Sequence, residues 1–136
     1  MQKFIITILA SMFLISCFGL IDNGSDNIVD DYEVIWIDVH ESRTIAKGEE
    51  LIPAYVFAVG HNSKYIYAKQ HPLLENSEEK IDREKTNYYI IERTKNTYQD
   101  KLVFGPLNKI DFEKKCQKLE IKNVEFDLTY PTKLFF

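Results

Sequence analysis

Cysteine, glycine, proline and positive charge are all in short supply in this chain. Two cysteines, five glycines and four prolines stand among 136 residues. There is no Cys-x-x-Cys pair, no glycine-rich phosphate loop and no nucleophile elbow, so the common local signatures of metal, phosphoryl-transfer and serine-hydrolase chemistry are missing. Seventeen Lys plus Arg face 21 Asp plus Glu, a net charge of −4. That balance argues against nucleic acid as a partner and against electrostatic adhesion to anionic lipid, since both need a basic patch.

The residues that could carry chemistry do not assemble on paper. His40, His61 and His71 fall at a strand end, in a hairpin loop and before Pro72, and their spacing matches no metal-ligand pattern, so they read as separate surface histidines. Residues 22–27, "DNGSDN", have the composition of a calcium loop but neither its glycine placement nor its distant bidentate glutamate. A Ser-His-Asp set would have to draw Ser63, His61 and Asp38 from places the sequence does not bring together. The expectation is therefore no catalytic residue, no metal, no cofactor and no enzyme.

What is present begins with the first twenty residues, "MQKFIITILASMFLISCFGL". One cation, Lys3, precedes a run with no charge from Phe4 to Ile21. This is the layout of an export signal: a short basic region, an apolar core and a small-residue site. A membrane-spanning helix or a core helix would also be apolar. Neither needs Ser16-Cys17 at its end, a spanning helix has no use for Thr7, Ser11 and Ser16, and a core helix would show a polar face.

Leu14-Ile15-Ser16-Cys17 resembles the lipobox of bacterial lipoproteins, in which a branched apolar residue, a tolerant position and a small residue precede a cysteine. The small residue admits the signal peptidase backbone, and the thiol is the nucleophile that takes the lipid. The resemblance implies that residues 1–16 are removed and that Cys17 becomes the lipidated first residue, anchoring the chain in a membrane of the cell envelope, outside the cytoplasm. Two or three acyl chains on one cysteine hold a protein stably, at about 0.8 kcal/mol per buried methylene. The remaining 120 residues suffice for one domain, and loss of Lys3 takes the net charge from −4 to −5. Cys116 is then left without an intramolecular partner, so the fold must stand on packing alone, with Cys116 expected as a small buried residue on a helix.

Residues 17–31 read as lipid anchor and tether, the Gly, Asn, Ser and Asp of 18–31 forming a flexible chain about 20 Å long on average. From Tyr32 the pattern becomes "YEVIWIDVH", a strand by its β-branched and aromatic content. "AYVFAVGHNSKYIYAKQ" places two apolar runs around Gly60-His61-Asn62-Ser63, a hairpin loop, with Pro53 at the start where no ladder donor is needed. "NYYIIER" and "KLVFGPL" continue the series through a turn at 94–97. Residues 72–87 are charged and predict a long exposed loop or a short frayed helix. A good helix opens at "NKIDFEKKCQKLEI", with Asn108 as N-cap, Asp111 three residues on, Leu107 stapled to Phe112, and a stripe of Phe112, Cys116 and Leu119. "KNVEFDLTYPTKLFF" follows as one or two extended segments. The predicted class is α+β: an antiparallel β-meander of five or six strands with one helix from the C-terminal half packed on it, in a single domain over 32–136.

The stretches "IPAYVFAVGHNSKYIYAKQHP", "YYIIERTKN" and "FGPLNKIDFEKKCQKLEI" together resemble a family of small bacterial lipoproteins designated domain of unknown function 3997, over about residues 32–122. The resemblance implies a fold and a location and brings no catalytic motif.

The tyrosines Tyr55, Tyr65, Tyr67, Tyr88 and Tyr89 are the remaining signal, because rings on a sheet face can stack on sugars or anchor a protein, although they can equally fill a core. Tyr65, Tyr67 and Lys69 share one strand face, and the lysine marks that face as the one expected to meet solvent. These three residues are the candidate binding patch. Two functions compete. One is a membrane-anchored binding or interaction module of the envelope, with an envelope protein or glycan as partner. The other is an inhibitor of immunity type, plugging a cationic hydrolase or toxin with its acidic 75–85 loop.

Overall fold

The computed structural model describes residues 22–95 and 102–131; Cys17 and the rest of the leader lie outside the described residues, as does part of the turn read at 94–97. Among the described residues, nine strands and one helix form two antiparallel sheets and a covering layer. The first sheet is a meander of β1 (Gly24–Val29), β2 (Tyr32–Trp36), β3 (Thr44–Lys47) and β4 (Glu49–Ile52). The second contains β5 (Val56–His61), β6 (Tyr65–Gln70), β7 (Asn87–Glu92), β8 (Val103–Leu107) and β9 (Leu128–Thr129), in the order β8-β7-β6-β5-β9. The helix α1 (Lys109–Lys118) lies between β8 and β9 in sequence. The class is the expected α+β with antiparallel strands, but one sheet has become two.

Three differences follow from the added sheet. Residues 24–29, read as tether, are β1, paired with β2 from Gly24↔Trp36 to Val29↔Tyr32. Asp30 turns the chain between them at φ 51°, a left-handed conformation that aspartate tolerates better than most residues. The strand read over 32–40 ends at Trp36, and the chain turns at 37–42. The short strands β3 and β4, with Gly48 at φ 73° between them, were not visible at all.

Alternation builds the core. Tyr32 and Val34 of β2, Ile45 of β3 and Ile52 of β4 point at the second sheet, whose Val56, Val59, Ile66, Tyr89 and Ile91 point back. Most of these are fully buried, and each aliphatic side chain contributes about 1.5–3 kcal/mol relative to an exposed one. The opposite face of the second sheet carries Tyr67 and Ile90, which α1 covers with Phe112 and Cys116 and the following segment covers with Ile121. Asn108 caps α1 as expected, its Oδ1 accepting from the Asp111 amide at 2.8 Å. The second sheet is therefore the middle of three layers. The 72–87 stretch is the expected exposed loop, with no helix, closed by a bridge between Leu73 and Ile81.

Candidate functional site

The predicted patch is not an open solvent-facing surface, because its middle ring is buried while Tyr65 and Lys69 are partly exposed. Tyr67 is only 2 % exposed; its ring meets Phe126 edge-on at 5.5 Å and its hydroxyl lies 3.5 Å from the Glu125 amide. Burial pushes its phenol pKa up. Tyr65 is half-buried against the same cluster. Lys69 shares their face as expected, yet its stem runs along the layer and its Nζ sits 4.5 Å from the centroid of Phe126 and 5.8 Å from that of Tyr88. A lysine on a strand face therefore did not mark open solvent. It marks the mouth of a cleft.

That cleft arises because α1 is only ten residues, about 15 Å long at 1.5 Å per residue, and cannot roof the whole sheet. The gap between α1, β6, β7 and the 124–126 segment has a volume of about 400 Å³. Tyr88, Phe112, Val124 and Phe126 form its walls, Cys116 its floor, and Lys69, Lys109, Glu113 and Gln117 its rim. Tyr88 and Phe112 stack at 4.8 Å, which fixes the wall on the helix side. Two lysines against one glutamate make the rim net positive on a chain that is net negative. The arrangement suits a ligand with a flat apolar body and an anionic group. It does not suit nucleophilic chemistry at Cys116: burial, with the Glu113 charge, raises the thiol pKa, so the thiol stays protonated and weakly reactive.

The other tyrosines are dispersed. Tyr89 points into the inter-sheet core, and Tyr55 is half-buried before β5 at φ 76°. Nor are the histidines all on the surface. His71 is buried, stacked on Phe57 at 4.2 Å, with Nδ1 2.9 Å from the Lys85 carbonyl, so that nitrogen carries the proton. His40 lies edge-on to Trp36 at 4.6 Å and accepts from Arg43 at 3.1 Å. The buried Nδ1 of His61 has no hydrogen-bond partner, so this nitrogen is not joined to Ser63 or Asp38. Among the described residues no three His, Cys, Asp or Glu side chains come together as a metal site, and no helix is long and apolar enough to cross a membrane.

A larger cavity of about 580 Å³ is bounded by one loop, residues 73–85. Its walls are mostly exposed side chains of that loop alone, whereas the cleft is walled by the folded layers. Sequence reasoning missed Phe126, whose segment carried no signal beyond being extended, and read Phe112 only as core.

The profile of a family described as "Protein of unknown function (DUF3997)" matches residues 25–130, so the chain belongs to this family. No match was found among curated proteins or among solved structures.

Proposed function

We propose that this member of the family is a binding module held outside the cytoplasm on a bacterial envelope membrane by lipid on Cys17, with the cleft beneath α1 as its ligand site. On this reading it is not an enzyme and takes neither nucleic acid nor a cofactor. The observation that supports it is the cleft: aromatic walls, a net positive rim and a volume within the usual range of small-ligand sites. The ligand class is an aromatic or otherwise flat apolar group bearing a carboxylate, sulfate or phosphate, whether free or as part of an envelope glycan or protein.

The anionic aromatic probe 1-anilinonaphthalene-8-sulfonate tests the site directly. It should bind with enhanced fluorescence, and Lys69→Ala or Phe126→Ala should weaken binding about tenfold, near 1.4 kcal/mol. Equal binding by both variants would remove the cleft from the proposal. For the anchor, Cys17→Ser should abolish membrane retention after carbonate washing.

The inhibitor reading has one supporting observation: the acidic loop is preorganised. Leu74 and Lys80 are joined at 2.8 Å, Asp82 donates to the Pro72 carbonyl at 2.8 Å, and Ser77 Oγ accepts from Glu79 and Lys80. Exposed Leu73 and Leu74 sit at the base of a finger bearing Glu75, Glu78 and Glu79. Inhibition of a basic cell-wall hydrolase that disappears on Glu75→Lys with Glu78→Lys would favour it over the cleft.

A further inference from the structure

The described chain starts at Asp22, and there it is already fastened to the turn that follows β2. The Asp22 amide donates to the Asp38 carbonyl at 3.2 Å, and the Asn23 side chain accepts from the Asp38 amide at 2.9 Å. The turn is itself tightly held. Val39 donates to the Ile37 carbonyl at 2.9 Å, and the Ser42 hydroxyl lies 2.8 and 2.7 Å from the Ile37 and Val39 carbonyls. Asp38 takes a left-handed φ of 69° at its apex. The result is a stiff tip that directs two branched apolar side chains outward: Ile37 is 64 % exposed and Val39 53 %. The half-buried ring of Trp36, the residue before the tip, is seated so closely on Gly24 that a Cβ there would come within 2.3 Å of it, and its Nε1 donates to Asp22 Oδ1 at 3.5 Å.

Exposed apolar residues scattered singly need no explanation. These two occupy one rigid turn, bonded to the residue by which the chain enters the domain. From Cys17 to Asp22 is five residue steps, at most about 18 Å at 3.3–3.6 Å per step. The polar layer on one side of a bilayer is about 5–8 Å deep. A lipid on Cys17 thus keeps the Asp22 end of the domain close to the head groups, not at the end of a long tether.

We propose that the 36–39 turn is a membrane-contact tip, which places Ile37 and Val39 at the boundary between head groups and acyl chains of the bilayer that anchors Cys17. The inference rests on the reading of Cys17 as the lipidated residue. Trp36 beside them fits the same interface, where tryptophan is enriched. The nearby charges decide the kind of surface. Asp22 and Asp38 are exposed and Glu41 pairs with Arg83, so the tip carries acidic groups and, among the described residues, has no cationic cluster to attract anionic lipid. Contact is apolar, with a zwitterionic bilayer. Docked this way, the tip holds the domain in one orientation rather than letting it swing on its anchor.

Trp36 is the single tryptophan of the chain and so reports on its own position. The full lipidated chain is incorporated into phosphatidylcholine vesicles whose acyl chains carry bromine near the head group. Trp36 emission should fall about twofold relative to unbrominated vesicles. Ile37→Ser with Val39→Ser should restore it while flotation and circular dichroism stay unchanged, since both side chains are exposed. Adding phosphatidylglycerol should weaken the quenching. Protein that floats with unquenched Trp36 overturns this inference alone, and quenching that survives the double serine change overturns the role assigned to the turn. Finding Cys17 without acyl chains by mass spectrometry overturns the lipid reading and this inference together.

Discussion

The Tyr130 hydroxyl donates to the Asp26 carboxylate at 2.7 Å across 104 positions of the chain, tying the strand-order edge β9 side of the second sheet to β1 of the first. The Arg43 guanidinium lies over the same ring at 4.4 Å and donates to the Val56 carbonyl at 2.9 Å. Burial first, and then the bond to Asp26, push the Tyr130 pKa up, so the hydroxyl stays a donor throughout the physiological range. Tyr130→Phe should therefore lower stability by about 1.5–3 kcal/mol, the usual scale for a hydrogen bond to a charged group, and towards the lower end because the site is half-buried. Denaturant unfolding of Tyr130→Phe, Asp26→Ala and the double variant gives the coupling; independent, additive effects would contradict the link.

Asp30 and Arg93 make a second tie, Arg93 Nη2 donating to Asp30 Oδ2 at 2.7 Å while another Arg93 nitrogen donates to the Asn62 carbonyl. The Arg93 hydrogen bond lowers the Asp30 pKa below its ordinary 3.8. A depressed carboxylate stabilises the fold above its unfolded pKa and loses that contribution as pH falls through the folded value. Thermal unfolding followed from neutral pH downward should show a decline below about pH 4 that is shallower in Asp30→Asn than in the parent. Parallel curves would show that the pair does not couple to folding.

Gly60 lies within β5, not in the hairpin loop where sequence placed it, and its role is close approach. An added Cβ would fall 1.9 Å from the Glu125 carbonyl oxygen and 2.4 Å from the Tyr67 ring. Gly60→Ala should force the 124–126 segment off the sheet, destabilise the fold by about 1–3 kcal/mol and weaken probe binding in the cleft together. A melting temperature unchanged from the parent would contradict this packing.

Tyr67 is a core residue, so its truncation should resemble that of other buried aromatics. Tyr67→Ala is expected to cost about 3–5 kcal/mol, and Tyr65→Ala less because that ring is only half-buried. Chemical denaturation of the two single variants distinguishes them; a Tyr67→Ala loss below that of Tyr65→Ala would return Tyr67 to the surface.

Several elements were legible in the sequence because the interactions that make them are local. The cap of α1 needs only Asn108 and Asp111 three residues apart, and the β5–β6 hairpin needs only two apolar runs about a short polar turn whose Asn62 side chain accepts from the Tyr65 amide. β7 is a run of aromatic and β-branched residues that reads as a strand anywhere. β1, by contrast, is "GSDNIV", a sequence with the composition of a linker, and β3 and β4 are four residues each. Their stability comes from cross-strand pairing and from burying Ile28, Ile45 and Ile52 against a sheet distant in sequence, which no local pattern encodes.

The same division decides the site. Period-two alternation determined, from sequence alone, that Tyr65, Tyr67 and Lys69 share one face of β6, because successive side chains of any strand alternate. What covers that face was decided by tertiary structure: a first sheet occupied the other side, α1 and the 124–126 segment closed over this one, and α1 proved too short to close it fully. A lysine side chain long enough to reach the rim satisfied both patterns, so only the packing of the layers could turn an expected open patch into a buried tyrosine beside a lysine-rimmed cleft.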